Sequence, residues 1–200
     1  MTEKVDVRKT QDGYRARRGA FRFLDVPEAR YLMTDGRGDP NSAVFGEAVE
    51  ALYPVAYRVK FASKRERGRD YVVPPLEGLW WAEDMDAFTT ARDKARWEWT
   101  LMILLPDWID DAAFAAAEAP ARVRLASLSE GRCVQTLHVG SFDDEAPVLA
   151  RMHELGHITD QELADVSAAP IPLAEGGTPP NGCIDASVGG FFCDYMYNYL

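Results

Sequence analysis

The sequence predicts a mixed α+β domain followed by an acidic tail of different composition. Stretches with the two-residue hydrophobic period of strands alternate with stretches of helical period up to about residue 154. The chain has 200 residues, 47% of them hydrophobic, which is enough to build a core. Residues 1–142 carry 21 basic and 22 acidic side chains, whereas residues 143–200 carry one basic and ten acidic ones. This shift in charge marks a boundary.

The first half of the domain reads as a strand, a long helix and two further strands. Residues 26–34 have the character of a strand. Asp39 and Pro40 are suited to the start of a helix, and apolar residues at helical spacing follow them to about residue 68. Pro54 predicts a kink within this helix. The next predicted strands are 76–82 and 97–105, the second with residues 97, 99, 101 and 103 on one face.

The second half repeats strands and helices in a similar order. A helix is predicted over 110–119, and strands over 121–127 and 132–140 are joined by a hairpin turn at 129–131. A last helix starts at Asp143 or Asp144 and runs to about residue 154. The order β-α-β, then β-α-β-β-α, indicates an internal duplication.

Aromatic residues are unusually dense in the middle of the chain. Large rings on a sheet provide stacking and cation–π surfaces for a flat organic ligand, whereas packing in the core is the alternative for any one of them. His138 is read as a sheet residue rather than a base. The candidate ligand-binding residues are Tyr53, Tyr57, Tyr71, Trp80, Trp81, Trp97, Trp99 and His138.

One carboxylate lies among these rings. In the strand 76–82, alternation places Glu77 on the same face as Trp81 and on the opposite face from Trp80. A carboxylate in apolar surroundings is costly to ionise unless paired, so it selects cations or acts as a general base toward water. Glu77 is therefore the candidate catalytic residue. The alternative is a structural carboxylate bonded to nearby backbone, to Arg58 or to Lys60.

One short motif resembles a zinc site. His153 and His157 fit the H-E-x-x-H pattern, in which two histidines on one helix face hold zinc. The longer form of the motif would need glycine and histidine where Asp160 and Leu163 stand, and a catalytic zinc needs three rigid ligands. We therefore predict no metal ion and no cofactor.

The remaining features argue against several classes of protein. No apolar run approaches the length of a membrane-spanning helix, and the N-terminus lacks the pattern of a signal peptide. Residues 1–20 read as a lead-in arm with a basic cluster. The basic run 58–69 is read as a solvated helix end rather than a nucleic-acid contact. Three cysteines are too few for a disulfide scaffold, so a cytoplasmic protein is expected.

Three segments resemble the GyrI-like small-molecule-binding family over roughly residues 18–155. They are YVVPPLEGLWW at 71–81, KARWEWTLMI at 94–103, and QTLHVG at 135–140 followed by DDE at 143–145. The resemblance implies an SHS2-type fold of two duplicated β-α-β-β units, with a curved antiparallel sheet whose concave face holds a drug-like ligand. Some relatives are multidrug-binding sensors. One subfamily hydrolyses the cyclopropane of DNA-alkylating antibiotics of the yatakemycin type, using an aromatic cage.

The resemblance stops near residue 155. The family's closing strand, roughly His-His-Glu-Ile-Tyr-Leu, has no counterpart, so the sheet is expected to be incomplete at its C-terminal end. Instead, MHELGHITDQE at 152–162 and FFCDY at 191–195 resemble the linker after the glycosyltransferase domain of class A penicillin-binding proteins. Residues 156–200 therefore read as an acidic Pro/Gly-rich tail with an aromatic end, in which 176–190 are expected to be irregular and proteolysis is expected to cut first between 170 and 190.

The sequence thus predicts a domain that binds hydrophobic, flat or cationic small molecules in an aromatic pocket, without nucleic-acid or membrane partners. Two alternatives stay open. One is a hydrolase that opens cyclopropanoid antibiotics, with Glu77 as base and Tyr57 or Trp99 holding the ligand. The other is a non-catalytic fragment of a cell-wall enzyme.

Overall fold

A computed structural model describes residues 4–88, 91–140, 144 and 146–155. Within them the helices are α1 (Val7–Thr10), α2 (Ala43–Glu66), α3 (Asp111–Ala115) and α4 (Ala146–Leu155). The strands are β1 (Arg22–Val26), β2 (Ala29–Arg37), β3 (Glu77–Trp81), β4 (Glu98–Leu105), β5 (Arg124–Leu128) and β6 (Gly131–Gln135). The expected α+β class is confirmed.

The centre of the fold is an antiparallel four-stranded sheet in the order β3-β4-β2-β5. Because side chains alternate along a strand, its two faces carry different residues. The helix face packs against α2 in the main core and includes Leu32, Trp99, Leu101 and Ile103. The opposite side, here called the distal face, includes Tyr31, Met33, Glu77, Leu79, Met102 and Leu104.

A two-stranded sheet of β1 and β6 continues the pairing of β2 with β5. Val26 pairs with Gly131, and after a break of two residues on each strand Ala29 pairs with Leu128, so the register is unchanged across the break. Pro27 lies in this break and has no N–H to donate to a ladder. The predicted hairpin between the last two strands is therefore wrong, because both follow the β1–β2 segment instead of pairing with each other.

Helix α2 starts later than the sequence suggests. Asp39 does not cap it, because its Oδ1 accepts the backbone N–H of Asn41 at 2.8 Å in the preceding turn. Ser42 occupies the N-cap position, and the helix continues through Pro54 as expected. Helix α3 is shorter than predicted and is capped by Asp110, whose side chain accepts from the N–H of Ala113.

The basic run at the end of α2 is used for internal contacts. The ammonium of Lys60 lies 2.8 Å from Asp70 Oδ1 with both side chains largely buried, and Lys64 lies 3.1 Å from Asp70 Oδ2. The hydrogen bond from Lys60 lowers the pKa of Asp70 to about 2. Arg58 donates its Nε to the carbonyl of Ala117 at 2.7 Å. Among the described residues, no helix is both long and apolar enough to cross a membrane.

The N-terminal segment, defined as residues 4–15, is attached to the sheet rather than being a free arm. The N–H of Val5 donates to the carbonyl of Asp70 at 3.0 Å, and the N–H of Val72 donates to the carbonyl of Val5 at 2.8 Å. Val7 is buried in an apolar cluster with Tyr31, Met33, Met102 and Leu104. The segment therefore covers part of the distal face.

The expectations for the C-terminal part are tested only as far as residue 155. Helix α4 confirms the last predicted helix, and Asp143, one of its two expected caps, lies outside the described residues. Cys183, Cys193 and the tail 156–200 also lie outside them, so the expected irregularity and protease sensitivity stay predictions.

Candidate functional site

The sheet separates three of the predicted tryptophans from the predicted carboxylate. Trp80 contacts Trp97 edge to face, with ring centroids 5.9 Å apart, and lies 6.5 Å from Trp99. Phe45 of α2 stacks on Trp80 at 5.9 Å. This cluster lies on the side of α2, whereas Glu77 points to the distal face.

Two of these tryptophans are fixed in the interior. Trp97 and Trp99 are fully buried. The indole N–H of Trp97 donates to the carbonyl of Ala87 at 2.8 Å, and that of Trp99 donates to the carbonyl of Gly38 at 3.2 Å. Both rings therefore have the contacts of core residues, because each polar edge is satisfied and each apolar surface is packed.

The other predicted ligand residues are spread over the molecule. Tyr53 and Tyr57 lie on α2 with ring centroids 6.5 Å apart, Tyr53 half-buried and Tyr57 exposed. Tyr71 is buried against Trp108, and burial raises the pKa of its hydroxyl. His138 is half-buried beyond the end of β6. The structure does not gather these residues in one pocket, and their roles in binding stay predictions.

Glu77 lies at the start of β3, half-buried on the distal face beside apolar side chains. It pairs in register with Met102 of the neighbouring strand, and the hydroxyl of Tyr14 donates a hydrogen bond to its Oε1. Arg58 and Lys60, the partners considered from the sequence, bond to Ala117 and Asp70 instead. Glu77 is thus held by the N-terminal segment.

Trp81 is the predicted aromatic residue that shares the face of Glu77. Its side chain is 39% exposed, and its indole N–H donates to Glu98 Oε2 at 2.9 Å. The alternation predicted for this strand is confirmed, because Leu79 packs in the distal cluster and Trp80 packs on the helix side. An exposed indole near a carboxylate offers a ligand both a stacking surface and a charge.

Sequence reasoning missed two residues with buried ionisable groups, Tyr31 and Glu130. Tyr31 is buried on the distal face, and its pKa is raised by burial and by the negative charges of Glu77 and Glu130. Glu130 is itself buried, in the break between β5 and β6. The charges of two carboxylates therefore both disfavour ionisation of the buried Tyr31. The alternation of β2 could have identified Tyr31, but no local signal marks Glu130 as buried.

Cys133 lies near Glu130 and is not suited to nucleophilic chemistry. It is a free, buried thiol, and burial together with the charges of Glu130 and Asp25 raises its pKa to about 12. A thiol with this pKa carries almost no thiolate at neutral pH. Its role is packing.

A polar group of side chains lies on the distal face beyond the apolar cluster. Arg124 binds Asp35 with two hydrogen bonds of 2.6 and 2.8 Å, and Thr100 donates its hydroxyl to Asp35 Oδ1 at 2.6 Å. The hydrogen bond from Arg124 lowers the pKa of Asp35. Asp35, Thr100 and Arg124 therefore form a fixed polar group on the distal face beside the buried apolar cluster.

A basic cavity of about 350 Å³ lies between the N-terminal segment and the β1–β6 sheet. The guanidinium of Arg22 is held there by Gln135 Oε1 at 2.6 Å and by Asp12 Oδ2 at 2.9 Å. The cavity is lined by Asp12, Arg15, Ala16, Arg17, Ala20, Arg22 and Gln135. It contains none of the residues that the sequence predicted for ligand binding.

The zinc-like motif cannot be judged from the geometry. The side chain of His153 and all of His157 lie outside the described residues. Within those residues, no group of three or more His, Cys, Asp or Glu side chains could hold a metal ion.

A helix-backed antiparallel sheet, with a half-buried carboxylate on the face away from the helix, is an α+β architecture suited to binding a small ligand. The chain belongs to the GyrI-like small molecule binding domain family, whose model matches residues 20–155. The resemblance noted over residues 18–155 is confirmed. The second resemblance, to a cell-wall enzyme, has no support in the comparisons.

Solved structures from Listeria innocua agree with this assignment. One, described as an uncharacterized conserved protein, is 34% identical with a TM-score of 0.67, and the match covers 76% of this chain and 80% of that one. Two described as hydrolases are 34% and 32% identical, with TM-scores of 0.65 and 0.64. These matches cover 76% of this chain and 80% and 79% of theirs. No protein of curated function has significant similarity.

Proposed function

We propose that the domain binds flat, hydrophobic, cationic small molecules on the distal face of the sheet, next to Glu77. The observation that carries this proposal is a half-buried carboxylate, Glu77, beside apolar side chains on this face. Removing a negative charge from water is costly, and a cation beside it offsets that cost. Trp81 supplies the aromatic surface on the same face.

The assignment places the ligand on a different side from most of the predicted aromatic residues. The family membership supports a small-molecule ligand, and the charge of the site supports a cationic one. The xenobiotic nature of the ligand, the cytoplasmic setting and the lack of a nucleic-acid partner stay predictions from the sequence.

Replacing Glu77 by glutamine is expected to weaken binding of N-methylacridinium about 10- to 100-fold, because the amide keeps the shape of the carboxylate and loses its charge. The measurement is quenching of tryptophan fluorescence at pH 8. Acridine is the uncharged counterpart at that pH, and the same substitution should weaken its binding less than about threefold. Glu50→Gln, the same change on the exposed side of α2, is the matched control. An equal loss of affinity for both ligands would contradict recognition of the ligand's positive charge by Glu77.

A second candidate function is hydrolysis, in which Glu77 acts as a general base. The observation that favours it is the similarity to two structures described as hydrolases. A carboxylate in apolar surroundings takes a proton from water more readily than an exposed one, because burial raises its pKa. The substrate class that the resemblance suggests is the cyclopropanoid antibiotics. Water would add across the strained ring bond, its hydroxyl to one carbon and its proton, through Glu77, to the group released.

Chromatography of a cyclopropanoid incubated with the protein tests the second candidate. A ring-opened product is expected from the unaltered protein, and Glu77→Gln should lower the rate of its formation by about 10²–10⁴-fold. Glu50→Gln again serves as the control. Binding of N-methylacridinium without any ring-opened product would leave a binding domain and remove the hydrolase.

A further inference from the structure

The N-terminal segment binds to the distal face although it precedes the matched domain. The family model begins at residue 20, whereas the packing against the distal cluster begins at Val5. Val7 is buried in the distal cluster, and Tyr14 packs against the same cluster. The segment thus lies where the proposed function places the ligand.

Tyr14 is held in position by the two residues that precede it. Asp12 forms an ion pair of 2.9 Å with Arg22 of β1, and the carbonyl of Gly13 accepts a hydrogen bond from the amide of Gln135 on β6. These contacts fix the short helical turn Asp12–Arg15, so that the hydroxyl of Tyr14 reaches Glu77. A hydrogen bond to an ionised carboxylate is stronger than one between neutral groups.

We propose that Tyr14 is a built-in competitor for the ligand site: its hydroxyl occupies the position on Glu77 that a ligand's cationic group takes. The inference rests on the proposed function. A cation that takes Oε1 displaces the hydroxyl of Tyr14, and the free energy of that hydrogen bond is then subtracted from the binding energy. The segment therefore lowers the apparent affinity, and only ligands that replace the lost donor with a charge bind well.

The test is Tyr14→Phe, which keeps the packed ring and removes the hydroxyl. Binding of N-methylacridinium is expected to tighten about tenfold. In the Glu77→Gln background the same change should alter binding less than about twofold, since the charged acceptor is gone. Thr10→Val is the matched control, because the hydroxyl of Thr10 bonds only to the carbonyl of Val7 in the same segment.

A second measurement does not need a ligand. Removing a donor from a carboxylate raises its pKa, so an NMR titration of the Glu77 side-chain carbon should show a higher pKa in Tyr14→Phe than in the unaltered protein. Unchanged or weaker dye binding in Tyr14→Phe overturns the competitor role while Glu77→Gln still reports on the binding function. Absence of dye binding in both proteins overturns the proposed function and the competitor role together.

Discussion

Trp99→Ala is expected to lower the free energy of unfolding by about 3–5 kcal/mol, the range for removing a buried aromatic side chain. The ring of Trp99 is fully buried, with Phe45 edge to face at 5.3 Å and Trp80 at 6.5 Å. Alanine leaves a cavity that these rings cannot fill without leaving their own contacts. It also removes the donor to the carbonyl of Gly38.

Urea unfolding followed by circular dichroism measures this loss. Trp81→Ala is the matched control, because Trp81 is partly exposed and its removal should cost about 1 kcal/mol or less. A loss below about 1.5 kcal/mol in Trp99→Ala would contradict a core role. Reduced affinity for N-methylacridinium in the folded variant would instead assign Trp99 to the ligand site.

The two faces of the central sheet were predictable because alternation is a local property. Residues 99, 101 and 103 share the helix face as their spacing indicates, and the opposite orientations of Glu77 and Trp80 follow from adjacent positions in one strand. Apolar residues at helical spacing likewise predicted α2, and its proline at position 54 is accommodated within the helix.

The pairing of the last two strands was not predictable from the turn between them. Ser129 and Gly131 suit a hairpin, yet Gly131 has a φ of 67° at the start of a strand that pairs with β1. The strands with which β5 and β6 pair are determined by the distant segment around Pro27, because its break at 27–28 lies opposite the break at 129–130. Local turn chemistry is compatible with both arrangements, so the non-local pairing decides.

The proposed site depends on contacts of the N-terminal segment, whose residues show no periodic hydrophobic pattern in the sequence. The N-terminal segment packs on the sheet through Val5, Val7 and Tyr14, which show no regular spacing, and a helix of four residues is too short to show an amphipathic pattern. Its location depends on a bridge to Tyr71 and on the hydrogen bond from Tyr14 to Glu77, more than 60 residues away. Tryptophans stood out in the sequence because they are rare, but their number reflects the core.

Gly36→Ala is expected to destabilise the fold by about 3 kcal/mol, at the upper end for overpacking a core. Gly36 lies directly opposite Trp99 in the pairing of β2 with β4. A Cβ on Gly36 would lie 2.0–2.4 Å from three carbons of the indole ring, far inside van der Waals contact. The ring cannot move aside, since its N–H is bonded to Gly38 and its edge contacts Phe45.

Chemical denaturation of Gly36→Ala, Trp99→Ala and the double variant forms a cycle that isolates this contact. The double variant should lose clearly less stability than the sum of the single losses, because the space vacated by the indole accepts the new methyl group. Gly46→Ala is the matched control, since no atom lies within 4 Å of its new Cβ on α2, and it should stabilise the helix by about 0.5–1 kcal/mol. Additive losses would show that the indole does not lie over Gly36. The glycine is thus required by the tryptophan that faces it, and both belong to the scaffold that holds the distal face in place.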